Sequence, residues 1–122
     1  MDDNSIPSKL GSDGERIPEI RIQSDSDFGI SSAFNQEVEL IMLELGGLLI
    51  RKHQDYGPKN ISDAPGGPIN GLLVRMHDKM ARLKNLHYNN KSANYESIED
   101  TYKDLANYAV IALMVLRDKW DK

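Results

Sequence analysis

Glu96-Ser97-Ile98-Glu99-Asp100-Thr101-Tyr102-Lys103-Asp104-Leu105-Ala106-Asn107-Tyr108, with its continuation to Trp120, is the stretch whose reading decides the fold. Read as a helix, it sets Glu96, Asp100, Asp104 and Asn107 at steps of four, four and three, so they share one polar ridge. Thr101, Leu105, Tyr108, Ala112, Val115 and Lys119 follow the three-and-four spacing of a core-facing stripe. Ile98, Ala109, Ile111 and Leu116 widen it. Two carboxylates one turn apart beside a buried stripe repel each other. Either a bound cation or facing Lys and Arg side chains must relieve that repulsion.

The segment before it supplies the second of those options. From about Asn70, Leu73, Met76, Met80, Leu83 and Leu86 keep helical spacing, while Arg75, Lys79 and Arg82 form a basic ridge with Asp78 beside it. In the plainer reading these cations pair across the helix interface with Asp100 and Asp104. In the functional reading they face a phosphate chain while Asp78, Asp100 and Asp104 hold its metal. Residues 87–95 are polar and make the turn between the two helices. Ile61 to Asn70, with Pro65-Gly66-Gly67-Pro68, reads as a loop long enough to act as a lid.

A third helix is expected from Ser31 or Ser32, either of which can cap it. Val38, Ile41, Met42, Leu45, Leu48 and Leu49 give it a wide apolar face, interrupted by Gly46-Gly47. That pair serves either close helix packing or a ligand lying against bare backbone. Gly57-Pro58 ends the helix inside a chemically dense stretch, Arg51-Lys52-His53-Gln54-Asp55-Tyr56-Gly57-Pro58-Lys59-Asn60. Lys52 and Lys59 can neutralise phosphate and Tyr56 can stack on a base. Asp55 and Asn60 can hydrogen-bond to base or sugar. An ordinary basic helix end followed by a turn explains the same residues.

Residues 1–33 hold seven acids and three bases, against twelve of each in residues 34–122. The net charge of -4 therefore resides in the N-terminal stretch, which is rich in Ser, Asp, Gly and Pro and reads as a flexible arm. Within it, residues 17–22 alternate apolar and charged side chains and can form a short strand. Residues 34–122 read as one helical domain. The acidic balance argues against duplex DNA binding, which needs a surplus of Lys and Arg. With no cysteine, thiolate zinc sites and disulfides are excluded. His53, His77 and His87 lack the four-residue pairing of a zinc helix, and there is no glycine-rich phosphate loop or nucleophile signature. No apolar run is long enough for a membrane span, and a soluble cytoplasmic protein is the expectation. Carboxylate chemistry with magnesium is what remains.

Three motifs in order, Lys52-His53-Gln54-Asp55-Tyr56-Gly57, Arg75 to Leu83, and Glu96 to Tyr108, resemble the first type of nucleotide modification associated domain, found in phage and bacterial proteins. The resemblance covers roughly residues 36–117. A second similarity is to the all-helical nucleoside triphosphate pyrophosphohydrolases of the MazG and dimeric dUTPase group. There Asp104-Leu105-Ala106-Asn107-Tyr108 looks like the end of a metal-binding helix motif. Thr101 stands where the matching Glu would fall, and the group's Glu-Glu-x-x-Glu helix is missing. That similarity implies that Asp100 and Asp104, with Glu44 or Asp78, hold magnesium while water attacks a nucleoside triphosphate, with Asp100 and Asp104 as the catalytic carboxylates.

The expectation is an all-α antiparallel bundle of about three main helices completed by oligomerisation. Its nucleotide ligand would be held by Lys52, Asp55, Tyr56, Lys59, Asn60, Arg75, Lys79, Arg82, Asn107 and Tyr108. Pyrophosphohydrolysis is the leading reading. Sequestration of a nucleotide, for example a cyclic or dinucleotide defence signal, is the alternative, and a third is an accessory subunit of a DNA-modifying enzyme docked through residues 17–22.

Overall fold

The structure is a computed structural model that describes residues 32–121, so the arm and the strand expected at 17–22 lie outside the described residues. All regular structure among the described residues is helical. Helix α1 spans Ser32–Tyr56, α2 Lys59–Ser62, α3 Pro68–Tyr88 and α4 Ile98–Leu116. The chain divides into two compact units after Ile41, and everything below concerns the second, Met42–Lys122.

Each boundary has a local cause. Helix α1 stops because Gly57 takes φ +68, and its N–H returns to the His53 carbonyl at 2.8 Å. Lys59–Ser62 then forms one further helical turn, and α3 already begins at Pro68, a residue suited to a first helical position. The expected lid at 61–70 is thereby cut to the five residues 63–67. Lys52 to Tyr56 form the last turns of α1, which ends at Gly57 as expected.

Helix α4 is capped by Ser97, whose Oγ accepts the Asp100 N–H at 2.9 Å, and Glu99 and Asp100 sit in the first turn, where the helix dipole favours acids. Glu96 therefore precedes the helix instead of sharing its ridge. The other end closes four residues before Trp120. Asp118 adopts φ +56, its N–H bonds the Val115 carbonyl at 3.0 Å, and the Lys119 N–H bonds the Met114 carbonyl at 2.8 Å. This paired termination turns the chain back sharply. Trp120 is carried over the α1–α2 turn, where its indole Nε1 donates to the Pro58 carbonyl at 3.1 Å.

Helices α3 and α4 run antiparallel. Leu72 packs in one cluster with Ile111, Lys79 meets Asp104, and Arg82 meets Thr101, so partners on α4 move back along the chain as those on α3 advance. Ile61, Leu72 and Ile111 form the buried centre, with Leu49, Ile69, Met76, Tyr108, Ala112, Val115 and Trp120 packed around it. Burying a side chain such as Leu72 contributes about 2–3 kcal/mol before entropy is counted.

The glycines correct one expectation. A Cβ on Gly46 would meet nothing within 4 Å, so close packing does not explain that residue, whereas a Cβ on Gly71 would lie 2.5 Å from the Ala64 Cβ. Gly71 is the close approach. Gly46→Ala should raise stability by about 0.5–1 kcal/mol through helix propensity. Gly71→Ala should lower it by about 1–2 kcal/mol through overpacking. Urea midpoints of the two variants check the opposite signs, and equal effects would refute this assignment of the two glycines.

Candidate functional site

Asp104 sits midway along α4 and takes one lysine on each oxygen. Lys52 Nζ from α1 lies 2.9 Å from Oδ1, and Lys79 Nζ from α3 lies 3.0 Å from Oδ2. Lys79 also donates to both oxygens of Glu96, at 2.9 and 3.1 Å. Glu96 Oε2 in turn accepts the Thr101 hydroxyl at 2.6 Å. Thr101 is fully buried, and its Oγ1 accepts from Arg82 Nη1 at 2.6 Å, while Arg82 Nη2 donates to the Glu96 carbonyl. Charges thus alternate along one connected row, Arg82, Glu96, Lys79, Asp104 and Lys52, with Thr101 as the hinge between the first two.

The row sets the ionisation of its members. Burial works hardest on Asp104 and favours its neutral form, but hydrogen bonds from Lys52 and Lys79 prevail and hold the carboxyl below the usual range. Glu96 is lowered chiefly by the Thr101 hydroxyl, against burial, with help from Lys79. Burial is also the largest influence on Lys79 and opposes its charge, yet Glu96 and Asp104 together raise it. Lys52 is raised, first by its hydrogen bond to Asp104.

The depressed carboxylates stabilise the fold fully above their unfolded values and lose that contribution as pH falls through the folded ones. The raised lysines do so below their unfolded values and lose it as pH rises through the folded ones. Thermal midpoints should therefore hold steady through neutral pH and fall below about pH 4. Asp104→Asn should make that acid fall shallower; an unchanged slope in the variant would show that Asp104 does not drive it.

Beside Asp104 opens a cavity of about 140 Å³. Its lining includes Leu49, Ile61 and Ile111 as apolar wall, Lys52 and Arg75 as cations, and His53, Tyr56, Tyr108 and Trp120 as rings. Asn60, Asp104 and Asn107 complete the polar lining. Arg75 Nη2 donates to the Asn60 carbonyl at 3.3 Å, and the rings of His53 and Trp120 meet edge to face at 4.8 Å. A more open apolar groove shares Leu49, His53 and Trp120 with this cavity.

Of the residues expected to bind a nucleotide, Lys52, Tyr56, Asn60, Arg75, Asn107 and Tyr108 line the cavity. Lys79 reaches it only through Asp104, and Arg82 is spent on Thr101 and Glu96. Lys59 is exposed and paired with Asp121 at 3.1 Å, and Asp55 is exposed outside the lining. His53 and Trp120 went unrecognised in the sequence as wall residues.

The expected carboxylate quartet does not assemble. Glu44 is held by Lys103, Asp78 and Asp100 are exposed, and Asp104 has both oxygens on lysines. Among the described residues no three His, Cys, Asp or Glu side chains are placed to share a metal ion. As arranged, these four residues do not fit a magnesium centre. No described helix is long and apolar enough to cross a membrane.

Residues 52–116, just over half of the 122, match the family described as nucleotide modification associated domain 1. The chain belongs to this family. The matched segment contains the whole alternating row and every cavity residue named above except Leu49 and Trp120. No curated protein and no solved structure is similar enough to the chain to be matched.

Proposed function

We propose that this member of the nucleotide modification associated family binds a nucleotide in the cavity beside Asp104. One observation carries the reading: the cavity sets four rings, His53, Tyr56, Tyr108 and Trp120, next to the cations Lys52 and Arg75. A nucleotide pairs a flat base, which stacks on such rings, with a phosphate, which such cations neutralise. The apolar floor of Leu49, Ile61 and Ile111 suits the base end.

Calorimetric titration with a panel of ribo- and deoxynucleotides, with and without magnesium, tests this. Saturable binding of at least one nucleotide, weakened in Arg75→Ala, is expected; no heat from any of them ends the reading.

Hydrolysis of a nucleoside triphosphate to monophosphate and pyrophosphate is the second reading, kept by the family's association with nucleotide modification. It needs a carboxylate free to act as base. Asp104, the acid lining the cavity, is already shared by two lysines, which favours binding without turnover. A pyrophosphate assay on the same panel with magnesium separates the two: release at many turnovers per chain selects hydrolysis.

Self-association into a completed bundle belongs to the same proposal. Leu43 on α1 and Leu116 on α4 are 74% and 72% exposed, and Ile50, Leu73 and Val74 are also exposed. Large apolar side chains left bare at this density favour a second copy as cover. Light scattering should give at least twice the 13.7 kDa of one chain, and a mass of one chain would remove the proposal.

A further inference from the structure

Of the two cations lining the cavity, only Arg75 has no acid among the described residues as a partner. It is half-buried on α3, and of the five donors of a guanidinium one bonds the protein, Nη2 to the Asn60 carbonyl at 3.3 Å. Lys52 already gives its charge to Asp104 at 2.9 Å. With His53 counted as neutral, the lining sets Lys52 and Arg75 against Asp104, which leaves one positive charge in surplus. A partly desolvated guanidinium with unmet donors calls for an anion, and its planar fork matches the oxygens of one phosphate.

We infer that the site reads a single phosphate through Arg75, so that its ligand class is the nucleoside monophosphate and the outer phosphates of a triphosphate gain nothing there. This rests on the nucleotide-binding reading above and adds the phosphate count. The cavity, at about 140 Å³, is well below the roughly 300–1,000 Å³ of pockets that enclose whole drug-sized ligands, so with a base against the rings a phosphate chain must run outside it. The cations nearest along the row are engaged. Lys79 is shared by Glu96 and Asp104, and Arg82 holds Thr101 and the Glu96 carbonyl. Lys59 pairs with Asp121 at 3.1 Å, and Lys119 lines the adjoining groove, whose lining includes neither Lys52 nor Arg75. Asp104, in the cavity wall, repels further negative charge.

Trp120 is the sole tryptophan and lines the cavity, so its fluorescence reports occupancy. The test titrates the intact protein, with a chelator present, with the adenine, cytosine, guanine and thymine deoxynucleosides, each as nucleoside, monophosphate and triphosphate. In the series that binds best, the monophosphate should bind at least about tenfold tighter than the nucleoside, the effect of charge-assisted bonds to one phosphate. It should also bind no more weakly than the triphosphate. A triphosphate more than about tenfold tighter than its monophosphate, or a monophosphate no tighter than its nucleoside, would overturn the phosphate count while leaving nucleotide binding intact. Silence from the whole set, with no heat in calorimetry, would instead remove the underlying reading. Arg75→Gln should bring the monophosphate to the affinity of the nucleoside and leave the nucleoside unchanged; a preference that survives the substitution contradicts the role of Arg75.

Discussion

Thr101→Val should destabilise the protein by about 3 kcal/mol, although the two side chains are nearly the same shape. Thr101 is fully buried and its hydroxyl serves two charged groups at once, accepting from Arg82 at 2.6 Å and donating to Glu96 at 2.6 Å. A methyl group satisfies neither. Each partly buried partner left unmet costs about 1–3 kcal/mol, more when it is charged. Because Arg82 also holds the Glu96 carbonyl, the loss should spread to the turn that precedes α4. Equilibrium urea unfolding measures it, and a change under about 0.5 kcal/mol, the range of ordinary surface substitutions, would mean the row is not structural at this point.

Asp104→Ala should cost about 2–3 kcal/mol. It leaves Lys52 and Lys79 facing a site with no anion, and removing one member of a buried ion pair is far more damaging than the pair is stabilising. The figure is set below that for a fully buried pair because the Lys52 side chain is 48% exposed and recovers solvation readily. Lys79 keeps Glu96, which limits the loss further. If Asp104→Ala unfolds at the wild-type urea concentration, Asp104 is not the structural centre of the row. Added phosphate should then stabilise Asp104→Ala more than wild type, since it restores an anion between the two lysines.

The face of α4 was legible in part: of the expected stripe Thr101 and Ile111 are buried and Tyr108, Ala112 and Val115 pack on the core, whereas Ala109, Leu116 and Lys119 are exposed and Asn107, placed on the polar ridge, is buried. The pairing of Lys79 with Asp104 was legible because a basic ridge must find an acidic one. The remainder depended on contacts that no local pattern encodes. Thr101 reads as a stripe residue, and its hydroxyl takes its role from Glu96 and from Arg82, nineteen positions earlier. Glu96 fits the helical ridge by number, but Ser97 starts the helix after it. Trp120 fits the continuing helix as well. Its placement in the cavity wall follows from Asp118 taking a left-handed conformation, which aspartate tolerates without the glycine that would have signalled a stop. The four acids assigned to magnesium were grouped by charge and by the pyrophosphohydrolase resemblance; Glu44 and Asp104 pair with lysines, and Asp78 and Asp100 are exposed.

The proposed nucleotide site is the cavity lined by Lys52, Arg75, Asn107 and Trp120. Two-dimensional nitrogen–proton spectra of the labelled protein, recorded while dCTP is added, test it most directly. The Trp120 indole N–H and the side-chain amides of Asn60 and Asn107 should shift together and saturate at one ligand concentration. Shifts that leave those three signals in place, whatever else moves, would contradict it.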